Sequence, residues 1–150
     1  MKNIVLWDLD NTIRNIDHRL HYLKREDINW REFEEQCVYD LPIMPTIVMM
    51  RAVKALGKLN WIWTGCSDHV KAETEVWLHR HQVPYDQLIM KSLENDEETP
   101  VLSLKKRWLN VGPVIKERVI CAFDDDPSIV KGLRNEGLLV YQVVRPTEEE

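Results

Sequence analysis

Asp8 and Asp10 stand two residues apart in Asp8-Leu9-Asp10-Asn11-Thr12, directly after the apolar run Ile4-Val5-Leu6-Trp7. A turn leaving a buried strand sets both carboxylates near one sheet edge, where they repel unless a cation or a proton intervenes. Either remedy suits phosphoryl transfer. Mg2+ takes one or two carboxylates, several waters and a substrate phosphate. Asp8 then reads as the nucleophile that forms an aspartyl-phosphate. Asp10, its pKa raised by its neighbour, reads as the group that protonates the leaving oxygen and later deprotonates water. Attack of one anion on another needs neutralising charge. Lys105 supplies a fixed cation, and the Thr64 hydroxyl and Gly65 amide supply donors to phosphate oxygens. Asp124 and Asp125 join Asp8 and Asp10 as metal ligands. Gly65 is apt because a residue without Cβ lets backbone approach a phosphate closely.

These residues need a scaffold that gathers them. Short apolar runs at Ile4 to Trp7, Leu59 to Trp63, Leu88 to Met90, Val119 to Phe123 and Leu138 to Val144 have the length and composition of buried parallel strands. Helical patterns lie between them. Thr46 to Leu56 follows Pro45 and stops at Gly57, and Ser67 to His81 opens on an N-cap residue. Thr99 to Leu109 begins Thr-Pro, and Pro127 to Glu136 begins after Asp126 and stops at Gly137. The expected fold is therefore α/β, a doubly wound, mainly parallel sheet, spanning 1–150 as one domain. Ligands of such sheets bind at the carboxyl ends of the strands. Asp8, Thr64, Gly65 and Asp124 all fall there.

Residues 13–45 break the alternation. They carry five Lys/Arg and seven Asp/Glu, and Leu20, Leu23, Trp30, Phe33 and Cys37 recur at mixed helical spacings. A small helical cap inserted after the first strand is the expectation.

Bulk properties exclude several classes. Net charge is −5 and the pI about 5.6, so strong non-specific nucleic-acid binding is not expected. Three cysteines without a Cys-x-x-Cys pair argue against a disulfide framework or a zinc site. The first apolar run is too short for a signal peptide or a span, which predicts a cytoplasmic protein without membrane contact. Glu148-Glu149-Glu150 is expected to be a solvated, frayed end.

Asp8-x-Asp10-x-Thr12, Thr64-Gly65, Lys105 and Asp124-Asp125, in that order, resemble the four motifs of haloacid-dehalogenase (HAD) phosphatases. A closer resemblance is to the phosphatase domain of phage polynucleotide kinase/phosphatases. It rests on Asp17-His18-Arg19, Lys105-x-x-Trp108-Leu109, Phe123-Asp124-Asp125-x-Pro127, Gly137-Leu138 and Tyr141-Gln142-Val143. That resemblance implies Mg2+ as cofactor, Arg19 as a phosphate or substrate contact, and a nucleotide or polynucleotide 3′-phosphate as substrate. The partner would be a phosphorylated nucleotide or nucleic-acid end. No Gly-x-x-x-x-Gly-Lys-Ser/Thr loop of a kinase half occurs in these residues. Three positions depart from the group: Cys66 and Asp126 stand where arginine is common, and Val101 where an acid is. A bidentate phosphate grip is lost at the first two.

Plainer readings stand beside these. Lys106 rivals Lys105, and Asp126 suits the cap of a helix starting at Pro127. A lone Cys66 without a histidine partner is ordinarily inert. His18 and His21 read as solvated or packed, and His79 and His81 do not share a helix face. Trp7, Trp61, Trp63, Trp77 and Trp108 read as core, leaving Trp30 as a base-stacking candidate. Other functional readings are a phosphatase of 5′-nucleotides or small phosphometabolites, a phosphotransferase or mutase of the same superfamily, and a receiver-like phospho-acceptor module.

Overall fold

The computed structural model describes residues 1–112 and 114–146; the acidic end at Glu148 to Glu150 lies outside them. The strands are β1 (Ile4–Trp7), β2 (Arg14–Asn15), β3 (Leu41–Pro42), β4 (Leu59–Ser67), β5 (Gln87–Lys91), β6 (Val119–Asp124) and β7 (Val140–Gln142). The helices are α1 (Trp30–Glu35), α2 (Met44–Ala55), α3 (Lys71–Arg80), α4 (Leu93–Asp96), α5 (Val101–Leu109), α6 (Ile115–Arg118) and α7 (Pro127–Asn135).

Five strands form one sheet in the order β5-β4-β1-β6-β7, every pair parallel. β1 is central, with β4 and β5 on one side and β6 and β7 on the other. The winding reverses at β1, so its carboxyl end opens on the crevice such a reversal creates. Both faces are covered, which is why the strand sequences are mostly apolar and show no regular in-and-out alternation. Ile4 and Leu6 face a cluster with Leu109, Ile129, Val130 and Leu133 from α5 and α7. Val5 and Trp7 face another with Ile47, Met50, Trp77 and Leu78 from α2 and α3.

Polar edges of the core tryptophans are satisfied. The Nε1–H groups of Trp7, Trp63 and Trp77 donate to Asn60 Oδ1 at 2.8 Å, Gln87 Oε1 at 3.0 Å and the Asp40 carbonyl at 2.9 Å. Trp61 and Trp108 are half-buried.

Several boundaries differ from expectation. β4 runs on through Thr64, Gly65 and Cys66 to Ser67, with a register irregularity against β5 between Thr64 and Ser67. Ser67 makes no side-chain cap, because its hydroxyl is engaged by Glu34; a 3-10 turn at Asp68–Val70 intervenes before α3. Thr99 donates its hydroxyl to Asp96 Oδ1 at 3.1 Å, and α5 starts at Val101. Asp126 does cap α7, accepting from the Ser128 and Ile129 amides. Gly57, with φ +71, ends α2 in the left-handed conformation.

The insertion is less helical than expected. β2 and β3 form an antiparallel ribbon at its base, pairing Arg14 with Pro42 and Asn15 with Leu41. Above it lie 3-10 stretches at Asp17–Lys24 and Gln36–Tyr39 flanking the six-residue α1. Among the described residues no helix is long and apolar enough to cross a membrane.

Candidate active site

The site is built on the carboxyl ends of β1, β4 and β6. Asp8 leaves β1 with its amide bonded to the Phe123 carbonyl on β6, at 2.9 Å. The chain then folds tightly: the amides of Thr12, Ile13 and Arg14 all point to the Leu9 carbonyl. Asn11 takes φ +62 in this turn, a conformation asparagine tolerates better than most residues. The Thr12 hydroxyl comes back to donate to Asp8 Oδ2 at 3.3 Å.

Asp124 ends β6, and Lys105 reaches in from α5. Lys105 Nζ donates to Asp8 Oδ1 at 2.9 Å and to Asp124 Oδ2 at 2.6 Å. The second Asp124 oxygen accepts the Asp126 amide at 3.0 Å. Lys106 is not in this arrangement. Burial pushes the carboxyls of Asp8 and Asp124 up to about 6, with Lys105 holding them back from going further. Burial alone would lower the Lys105 pKa, yet the two carboxylates outweigh it and raise the ammonium pKa. One cation is therefore short of what the carboxylates need.

Asp8, Asp124 and Asp125 each place a carboxylate oxygen within 4.8 Å of the others. The donors are hard oxygens only, with no imidazole or thiolate, as Mg2+ requires. Burial also raises the Asp125 carboxyl. A site with too much buried negative charge fits a divalent cation.

Asp10 departs from expectation twice. It lies outside the three-carboxylate group, because its Oδ1 accepts Arg14 Nε at 2.6 Å and is 3.3 Å from Arg19 Nη2. Its pKa is lowered, not raised: burial pushes it up, but the two guanidinium groups pull it down further. Arg19 departs as well. It is fully buried, donates through Nε and Nη2 to Asp40 at 2.9 and 2.8 Å, and lies over the Phe33 ring. It faces Asp10 and Asp40 and does not line the cleft.

Sequence reasoning missed Arg14 and Asp40. Buried Asp40 accepts from Arg19, lies 3.2 Å from Arg14 Nε and 2.7 Å from His18 Nε2, so it organises the pair of arginines behind Asp10. No spacing rule links residues 14, 19 and 40; only the β2–β3 ribbon does.

Thr64 is buried, and its Oγ1 accepts the Cys66 amide at 3.0 Å, which leaves its hydroxyl hydrogen free to donate. Gly65 has a packing reason for lacking a side chain. A Cβ there would lie 2.4 Å from Val101 Cγ2 at the start of α5. Cys66 is buried and its thiol pKa is pushed well up, chiefly by burial and by Asp10, so it stays a thiol against Arg14 Nη2.

These groups line a cleft of about 260 Å3 that also takes in Trp30, Phe33 and Glu34 of the insertion. Lys105 is the one cation among its lining residues, against six acids.

The sequence profile of the polynucleotide kinase PNKP phosphatase domain matches residues 2–147. The chain belongs to this family. It is a HAD-type phosphatase domain, and its solved structural relatives carry the same fold. A chain of the Pnkp1/Rnl/Hen1 complex aligns with a TM-score of 0.76 at 24% identity, over 95% of this chain and 45% of that one. The present sequence thus spans less than half the length of that relative. A predicted phosphatase from Clostridium acetobutylicum aligns at 0.68 with 13% identity, over 93% and 83% of the two chains. A HAD family enzyme from Bacteroides thetaiotaomicron, in complex with magnesium and inorganic phosphate, aligns at 0.63 with 11% identity, over 100% and 97%. No curated protein sequence matches the chain.

Proposed function

We propose that this phosphatase domain is a Mg2+-dependent phosphomonoesterase that works through an aspartyl-phosphate on Asp8 and acts on a nucleotide or polynucleotide 3′-phosphate. The observation that carries the chemistry is Lys105 Nζ seated between Asp8 Oδ1 and Asp124 Oδ2. Family membership supports the substrate class.

Asp8 Oδ2, the oxygen that Lys105 does not engage, attacks phosphorus, forming the acyl-phosphate bond as the ester oxygen departs. Lys105 keeps Asp8 ionised and offsets charge on the phosphoryl oxygens. The Thr64 hydroxyl and the Gly65 amide orient those oxygens. Asp10, kept ionised by Arg14 and Arg19, acts as the base that takes a proton from the water hydrolysing the acyl-phosphate, while the departing ester oxygen takes its proton from solvent. Arg19 serves by fixing Asp10 together with Asp40. A divalent cation held by Asp8, Asp124 and Asp125 would supply charge neutralisation and position the phosphate.

Purified protein should release phosphate from an aryl phosphate with Mg2+, and EDTA should stop it. Full activity in Asp8→Asn would sink the nucleophile assignment. A panel of 3′- and 5′-phosphorylated oligonucleotides, nucleoside monophosphates and sugar phosphates tests the substrate. Absence of guanidinium groups from the cleft lining favours a second reading, a phosphatase of 5′-nucleotides or small phosphometabolites. Equal rates across the panel would establish it.

A further inference from the structure

Trp30 is an anomaly among the tryptophans. It is 58% exposed while the other five are buried or half-buried. It nevertheless lines the same cleft as Asp8 and Lys105. Its ring meets Phe33 at right angles, with centroids 5.9 Å apart, so Phe33 can cover at most one face of the indole. A face of that size left in water at the mouth of a polar cleft is suited to stacking on a flat ring.

The ring sits on a braced support. Asn29 caps α1 by accepting the Glu32 amide at 3.1 Å. Phe33 is buried and lies against the Arg19 guanidinium. One turn on from Trp30, Glu34 reaches across to the core: it accepts the Ser67 amide at 3.2 Å and the Ser67 hydroxyl at 2.5 Å, and lies 3.2 Å from His69 Nδ1. Those bonds anchor α1 to the segment that follows Thr64 and Gly65. The indole is therefore held at a fixed place relative to the phosphate-binding groups, and little ordering remains to be done when a ring arrives.

The cleft is also larger than a phosphate group alone needs, since 260 Å3 matches the liquid volume of roughly nine waters at about 30 Å3 each. Space remains beside the phosphate for part of the group that carries it.

We infer that Trp30 is a specificity-determining residue that stacks on the nucleobase adjoining the scissile phosphate, with Glu34 as the positioning residue that holds α1 in place. The ligand class is a nucleoside phosphate, as against a base-free phosphomonoester. This inference rests on the nucleotide reading above and names the group that would enforce it.

The test measures affinity, so it does not depend on turnover. In an Asp8→Asn background with Mg2+, calorimetry gives dissociation constants for adenosine 3′-monophosphate and for glycerol 2-phosphate. Their ratio is compared with those for added Trp30→Ala, Trp30→Phe and Glu34→Gln. The preference for the nucleotide should fall about tenfold in Trp30→Ala and be largely retained in Trp30→Phe. Glu34→Gln should lower it by a smaller factor, and loss of tryptophan quenching by the nucleotide in Trp30→Phe should trace the signal to this ring. An unchanged ratio in Trp30→Ala, or no preference in the parent protein, overturns the inference even where phosphate release is robust. A ratio that falls as expected in a protein that hydrolyses no phosphate upholds the stacking and overturns the phosphatase proposal.

Discussion

Replacing Lys105 by methionine leaves Asp8 and Asp124 buried without their shared partner. Removal of one member of a buried charge group costs about 3–5 kcal/mol. Lys105→Met should therefore unfold at markedly lower urea concentration in EDTA, and Mg2+ should restore part of the loss; an equal loss with and without Mg2+ would speak against a cation at these carboxylates. Asp8 itself predicts the opposite sign. Its folded-state pKa of about 6 lies above the ordinary 3.8, so the folded protein holds a proton that the unfolded chain releases between those values. Stability attributable to Asp8 thus falls as pH rises through that window. Asp8→Asn should be more stable than the parent at pH 7 in EDTA, with a gap that narrows toward pH 4, as read from denaturant midpoints. The same raised pKa predicts an acid limb in phosphate release near pH 6 at low Mg2+, displaced to lower pH as Mg2+ increases. Asp8, Lys105 and Asp124 were legible in the sequence because each is tied to a strand end or a motif. The direction of the Asp10 shift was not, because it depends on Arg14 and Arg19, which face it only after the ribbon has formed.

At the scale of elements, the junction between β4 and α5 matters most. Gly65→Ala would drive a methyl group into Val101 and push on the helix that carries Lys105 one turn later. Overpacking of this kind costs about 1–3 kcal/mol. Thermal unfolding should show that loss in Gly65→Ala and its recovery in the double variant with Val101→Ala; failure of the second change to help would mean that Gly65 serves the ligand alone. The departure at Val101 is thereby explained in part: an apolar residue packs on the glycine there. The strands were readable because burial on both faces gives continuous apolar runs. Helix starts were displaced by up to four residues because Ser67 and Thr99 spend their hydroxyls on Glu34 and Asp96 and not on caps. Two-residue strands such as β2 and β3 carry no periodicity to read.

For the whole molecule, the order of strands and helices implied both the doubly wound sheet and the position of the crevice. Residues from β1, β4, α5 and β6 meet there, so a ligand that binds the folded site alone should raise global stability. Mg2+ at a hundred times its dissociation constant should contribute about 2.7 kcal/mol, visible as a concentration-dependent rise in melting temperature. No such rise, with Asp8→Asn equally unaffected, would argue against the metal. The sequence carried less about how the insertion docks, since Glu34, Asp40 and Arg19 meet partners far along the chain or on other elements.

The central place of β1 has a consequence for the order of assembly. Its hydrogen-bonded neighbours are β4 and β6, and the cation that balances Asp8 is Lys105. During synthesis the first strand emerges long before either flank, so the Asp8 turn must wait for contacts nearly a hundred residues distant in sequence. Such non-local closure makes folding slow relative to a helical bundle of equal size. A nascent or truncated chain that stops short of α5 leaves Asp8 without its counter-charge, and should remain sensitive to protease until β6 has docked.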